Sequence, residues 1–213
     1  MAGTLAEGTA PPVRYGKLAQ RVPDGDLNLP DLFPEEAGGG PLELDVGFGR
    51  GASLFSRAEA APESRIIGIE IKSKWAFKVE ERLRKYGLDR ARAFAGDARE
   101  ILHRSGPDGC LDVVFLHFPD PWWKRRHDKR RVLNDAFTDD IVRLLRPGGV
   151  FYVQTDVEDR GAMFRDLLRD HGAFDLEGED GFVADNPYGA RSNREIRAEE
   201  DGLPVFRIVA RRR

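Results

Sequence analysis

From Leu42 onward, short apolar runs rich in β-formers alternate with stretches of helical length, and this alternation restricts the fold more than any other feature of the chain. Strands are predicted at 42–46, 65–71, 91–95, 112–118, 150–155 and 205–210. Helices are predicted at 52–60, 73–86, 98–103, 133–145 and 160–171, and Pro147-Gly148-Gly149 reads as the stop of the fourth of them. Strands that alternate with helices of this size call for an α/β fold with a doubly wound, mostly parallel sheet. Such sheets bind ligands outside the carboxyl ends of their strands, near the point where the strand order reverses. Functional residues are therefore sought just after each strand.

Composition narrows the class. A chain of 213 residues that is 40% hydrophobic has enough material for one domain with a sizeable core. No segment approaches the roughly 18 uninterrupted apolar residues of a membrane span, so no membrane partner is expected. The single cysteine, Cys110, excludes intrachain disulfides and Cys-based zinc clusters, and the four histidines show no metal-ligand spacing. Met1 to Ala10 has neither the basic nor the apolar region of a signal peptide, and a cytoplasmic location is the expectation. Residues 1–41 carry six prolines and end in Gly38-Gly39-Gly40-Pro41. They read as a poorly ordered lead-in, with 42–213 as the single folded domain.

Charge is informative only once it is located. The lead-in has three basic and six acidic side chains, which accounts for the whole net charge of −3. Within the balanced remainder, Lys124-Arg125-Arg126-His127-Asp128-Lys129-Arg130-Arg131 places six cations against one anion. A mild overall charge thus leaves room for a polyanionic partner, since the local field decides.

The predicted strand ends carry the chemistry. After the first comes Asp45-Val46-Gly47-Phe48-Gly49-Arg50-Gly51-Ala52, with glycines at alternate positions for a tight turn and a close approach of backbone to ligand. The spacing suits S-adenosylmethionine, and Gly47-x-Gly49-x-x-Ala52 equally satisfies the dinucleotide fingerprint. Glu70 closes the second strand, 21 residues after Gly49, where a carboxylate can accept both ribose hydroxyls of either ligand. Asp97, followed by Ala98 after the third strand, can accept from an adenine amine or act as a helix N-cap. The fourth strand leads into Phe118-Pro119-Asp120-Pro121-Trp122-Trp123 and then the basic block. A stiff acid, aromatic faces and cations within fourteen residues suit a flat base attached to phosphates.

The segment from Phe118 to Arg131 closely resembles the signature of the bacterial tRNA (guanine-N7)-methyltransferases, which modify guanosine 46 of the tRNA variable loop. The resemblance runs from about Leu42 to the C-terminus and does not cover the lead-in, whose Arg14 and Lys17 it leaves unassigned. Thr155-Asp156 matches a family pair that touches substrate, and Ser192-Asn193-Arg194-Glu195 lines up with the family's Thr-x-aromatic-Glu. Two positions depart from the pattern: Asp45 replaces a frequent Glu, and Arg194 stands where an aromatic is usual. The resemblance implies a seven-stranded, Rossmann-like class I methyltransferase with S-adenosylmethionine as cofactor and tRNA as partner, acting as a monomer or homodimer. It implies that Asp45, Gly47, Gly49, Glu70, Asp97 and Ala98 hold the cofactor, and that Asp120 is either the catalytic carboxylate facing the base or a further cofactor ligand at the methionine end. It assigns the substrate to Lys124, Asp156, Ser192, Asn193, Arg194 and Glu195, and the wider RNA surface to Arg125, Arg126, Lys129 and Arg130. Asp156 and Glu195 are expected to read the N1 and N2 donors of guanine. The rival readings are an exocyclic-amine nucleic-acid methyltransferase, a nicotinamide-dependent reductase and a non-catalytic RNA-binding module. The single proline after Asp120, the absence of a hydride-site constellation, and the intact Gly47, Gly49, Glu70, Asp97 and Asp120 speak against these in turn.

Overall fold

The structure is a computed structural model that describes residues 14–119 and 132–213. Seven strands form one sheet: β1 (Leu42–Val46), β2 (Arg65–Glu70), β3 (Ala91–Ala95), β4 (Leu111–His117), β5 (Leu145–Thr155), β6 (Phe174–Leu176) and β7 (Phe206–Arg212). The helices are α1 (Tyr15–Leu18), α2 (Ala52–Ala60), α3 (Ser73–Lys85), α4 (Ala98–His103), α5 (Asp135–Leu144), α6 (Glu158–His171) and α7 (Asn193–Glu200). The spatial order is β3-β2-β1-β4-β5-β7-β6. Neighbours from β3 to β5 run parallel, and β7 pairs antiparallel with both β5 and β6. The doubly wound, mostly parallel, seven-stranded sheet is therefore as expected.

Strand order reverses between β1 and β4, where Val46 pairs with Leu116. The chain leaves the sheet there at Gly47 on one strand and Phe118 on the other, so the glycine turn and the Phe118-Pro119 corner start side by side. Both faces of the sheet are covered, which is why its strands are apolar nearly throughout. On one face Leu44, Val46, Ile67, Ile69, Val114 and Leu116 pack under α4, α5 and α6. On the other, Ile66, Ala91 and Ala93 lie under Leu54 of α2 and Ala76, Val79 and Leu83 of α3.

Two expectations need correction. From residue 14 the supposed lead-in is part of the fold: Leu27-Asn28 pairs with Ser105-Gly106, and Leu29–Leu32 forms a 3-10 turn with Pro30 near its start. Leu27, Leu29, Leu32 and Phe33 share a core with Leu42, Leu44, Leu102 and Leu111. Four large apolar side chains within seven residues bury enough surface to outweigh the irregular backbone that the prolines impose. Second, Pro147-Gly148-Gly149 does not stop α5, which ends at Leu144. These residues lie in a bulge of β5, where pairing jumps from Leu111↔Leu145 to Val113↔Val150.

The short β6 and the polar α7 were not predicted. Helix α7 reads Asn-Arg-Glu-Ile-Arg-Ala-Glu-Glu, with too few apolar residues to show a helical period, and is defined instead by its Ser192 cap. The closing arginines are built into the fold: Arg211 pairs with Glu177, Arg212 donates to the Leu145 carbonyl, and Arg213 pairs with Asp175.

If residues 27–33 belong to the core, Leu29→Ala should cost about 2–5 kcal/mol, the range for emptying a buried leucine site. Chemical denaturation of the full chain measures this, and a loss below about 1 kcal/mol would mean that the segment is only draped over the domain.

Candidate active site

The glycine turn is built by close packing and two braces. Phe48 lies over β2 at Gly68, where an added Cβ would come within 2.6 Å of its ring. Gly47, Gly49 and Gly51 have φ of +73°, +56° and +88°, a region closed to most side chains, which explains the alternate glycines. A Cβ at Gly47 or Gly49 would meet only open space, so that side of the turn stands free to receive a ligand. The Gly47 N–H donates to the Ile69 carbonyl at 2.8 Å. Glu70 forms the second brace: Oε2 accepts the Gly49 N–H at 2.9 Å and Oε1 accepts the Lys72 N–H at 2.8 Å. Each oxygen retains a lone pair for hydroxyl donors. Beside it Ile71 is 65% exposed, a large apolar residue at the surface that sequence reasoning passed over. Its signal was present in an isoleucine directly after a strand-end acid.

Asp45 is buried under the turn, where the Ser53 hydroxyl donates to Oδ2 at 2.5 Å and Oδ1 has no hydrogen-bond partner among the described residues. Burial pushes its carboxyl up to about 7, the Ser53 hydrogen bond opposes the rise, and the nearby Glu70 charge adds to it. Asp97 caps α4 by accepting the Arg99 N–H at 3.0 Å and is paired with the Arg99 guanidinium at 2.6 Å. That hydrogen-bonded pairing holds its carboxyl below the usual range. Ala98 is buried at the first position of α4.

At the end of β4, Phe118 has φ of +46°, a strained conformation for a bulky residue, and its N–H is held by the Gln154 carbonyl at 2.8 Å. This corner launches the chain toward Asp120. Asp120, Lys124, Arg125, Arg126, Lys129 and Arg130 lie outside the described residues. Directly beneath, Gln154 Nε2 lies 2.7 Å from His117 Nδ1 and donates to Glu195 Oε2 at 3.0 Å, while its Oε1 accepts from the Tyr152 hydroxyl at 3.1 Å. With Gln154 as donor, His117 Nδ1 is the acceptor and Nε2 carries the proton. Burial pushes the imidazole down to about 3, so it is neutral.

Glu195 is not placed as expected. It is fully buried, accepting from Arg207 at 3.1 Å and from Asn186 at 3.2 Å as well as from Gln154. A carboxylate so occupied has no face left for a guanine edge, and its work is to fasten α7 to β5 and β7. Ser192 is the cap of α7, accepting the Glu195 N–H at 3.1 Å, and Asn193 is exposed beside it. Asp156 and Arg194 are brought together: Asp156 Oδ2 accepts from Arg194 Nε at 2.8 Å and also from Nη2. Gln154 and Asn186 carried no sequence signal, because their bonds to His117 and Glu195 are made only by the fold. Open concavities of about 600 and 540 Å³ lie elsewhere, near Arg90 and His103, and include none of these residues.

Residues 39–208 match the model of a family described as "Putative methyltransferase". Among solved structures, the 16S rRNA methyltransferase KamB superposes with a TM-score of 0.60 at 13% identity, over 91% of this chain and 99% of that one. A SAM dependent methyltransferase from Aquifex aeolicus superposes with a TM-score of 0.54 at 15% identity, over 84% and 87%. The fold and the strand-end site thus define a Rossmann-like class I methyltransferase. The chain is 38% identical to the tRNA (guanine-N(7)-)-methyltransferase of Myxococcus xanthus, over 84% of this chain and 86% of that protein. It is 36% identical to that of Nitrosococcus oceani, over 88% and 77%. The chain belongs to the tRNA (guanine-N(7)-)-methyltransferase family.

The buried Asp45 generates a test. Its folded-state value of about 7 lies above its ordinary 3.8, so the folded protein keeps a proton that the unfolded chain releases. Its contribution is therefore most favourable below about pH 4 and is lost as pH rises to about 7. Asp45→Asn removes the titration, so denaturant midpoints should shift in favour of the variant, relative to wild type, by on the order of 1.4 kcal/mol per pH unit across that window. A pH-independent difference between the two proteins would contradict the assignment.

Proposed function

We propose that this protein transfers a methyl group from S-adenosylmethionine to N7 of guanosine 46 in the variable loop of tRNA, in the cytoplasm, as a monomer or homodimer. The observation that carries the reading is the family match, which spans the glycine turn, the Glu70 brace and the Phe118-Pro119 corner. The residues fit the cofactor. Gly47 and Gly49 leave open space, Glu70 keeps lone pairs for ribose hydroxyls, Ile71 offers an apolar face to a flat ring, and Asp45 Oδ1 is a polar atom still without a partner among the described residues. Asp97 and Ala98 would line the adenine end, with Asp97 already oriented by Arg99.

When bound, S-adenosylmethionine supplies an electrophilic methyl group on a sulfonium sulfur. The chain need not supply a general base, because guanine N7 carries an in-plane lone pair and no proton. Its task is orientation, which can recover roughly 7–11 kcal/mol of a barrier, and stabilisation of charge. The methylated ring is cationic, and Asp120 is the carboxylate assigned to face it. Asp156 is assigned to the N1 and N2 donors of guanine. Those donors form a parallel pair like the one Arg194 now presents, so Arg194 holds the carboxylate until the base displaces it. Ser192 and Asn193 present the exposed start of α7 to the same base. Lys124, Arg125, Arg126, Lys129 and Arg130 are assigned to phosphates, which helps to offset the few kcal/mol needed to extract a nucleotide from its tertiary contacts.

The test is methyl transfer from labelled S-adenosylmethionine to unmodified tRNA, followed by nucleoside analysis. Wild type should yield 7-methylguanosine at position 46. Asp120→Ala should lower kcat by about 10²–10³, as for loss of a group that stabilises transition-state charge. Label on another nucleoside, or undiminished turnover in the variant, would refute the reading.

A further inference from the structure

The chain contains 27 arginines but only seven lysines, and the lysines are not scattered. Lys124 and Lys129 belong to the basic block, while the other five are Lys17, Lys72, Lys74, Lys78 and Lys85. Lys17 lies in α1, Lys72 caps α3, and the remaining three lie within α3. Helix α1 rests on α3 through Tyr15 and Phe77, whose ring centroids are 5.8 Å apart. The glycine turn reaches the same face: the Arg50 guanidinium lies 5.2 Å from the centre of the Trp75 ring and the Lys74 ammonium 5.4 Å from it. Arg14, Lys17, Arg50, Lys72, Lys74 and Lys78 are all exposed, and none is ion-paired to a carboxylate among the described residues.

The rest of the surface is organised differently. Arginines such as Arg57, Arg84, Arg92, Arg143, Arg146, Arg191, Arg194, Arg207, Arg211 and Arg213 are spent on carboxylates within the fold. Arginine's planar fork matches a carboxylate, whereas lysine is a compact, hydrated point charge that a phosphate accepts from any direction. The lysine face also works against the folded state. The first turn of α3 contains no acid, so Lys72 and Lys74 oppose the positive end of the helix dipole. Lys74 and Lys78 are four residues apart on one helix face, a like-charge pair. Charge that is repulsive and unpaired within the protein is explained by a polyanion that neutralises it. Arg50 and Lys72 set this face against the carboxyl ends of β1 and β2, so the polyanion is one whose other part enters the site.

We infer that the α1–α3 face is a second phosphate-binding surface, built from other parts of the sequence than the 124–131 block, which grips the backbone of the RNA away from the nucleotide being methylated. The inference rests on the proposed function for the identity of the RNA. The test compares the full-length wild type with a Lys17→Gln/Lys74→Gln/Lys78→Gln variant, in binding to unmodified tRNA over a range of salt. Three lost phosphate contacts, at roughly 0.7–0.9 each, should flatten the log–log salt slope by about 2–3 and weaken binding about a hundredfold near 0.1 M salt. Turnover at saturating tRNA and calorimetric affinity for S-adenosylmethionine should stay at the wild-type level. Lys85→Gln, in the last turn of the same helix and away from the glycine turn, should bind as wild type. An unchanged slope in the triple variant, or an equal loss in Lys85→Gln, would overturn the proposal. Wild-type lysines that bind phosphatidylserine vesicles instead of tRNA would also overturn it. Wild type that binds tRNA through these lysines without methylating it would overturn the proposed function and leave this surface standing.

Discussion

Glu70 is the residue on which the site depends. Its carboxylate is nearly buried at the end of β2 and accepts one backbone N–H from the glycine turn after β1 and another from its own strand's exit. A buried carboxylate is tolerable only when hydrogen-bonded, and these two donors meet that need while setting the distance between the β1 and β2 ends. Phe48, pressed against Gly68 from the other side, prevents the turn from folding down onto the sheet. Under the proposed function the same side chain that braces the turn would also accept the ribose hydroxyls, so support and recognition would share one group.

A second buried polar cluster does for β4 and β5 what Glu70 does for β1 and β2. Gln154 joins neutral His117 to Glu195, and Glu195 is closed by Arg207 and Asn186. Every member is needed, because in a low-dielectric interior an unpaired carboxylate or guanidinium is far more costly than a missing apolar contact. The cluster holds the strained Phe118 corner and the start of α7 in register. Ser192 and Asn193, which the proposed function assigns to the base, lie at the second of these places.

Charge in this protein is divided by residue type. Among the described residues most arginines pair with carboxylates inside the fold, whereas Lys17, Lys72, Lys74 and Lys78 stay exposed and without an ion pair. That division makes the small net charge misleading, since the sum hides charges that cancel in ion pairs and an exposed, unpaired set inferred above to bind RNA.

The sequence by itself determined the strand–helix alternation, the glycine turn and the acids at the strand ends, because each is written in residues adjacent along the chain. Periodicity, turn chemistry and capping act over a few residues and can be read there. It also carried the family signature in one continuous run from Phe118 to Arg131. Tertiary structure alone decided that Leu29 and Phe33 are core, that Glu195 serves Arg207, and that Asp156 is held by Arg194. It alone joined Lys17, Arg50 and Lys74 into one face. A charged side chain's role follows from which opposite charge comes near it and how much water is left around it. Both depend on contacts between segments remote in sequence, and no local pattern records them.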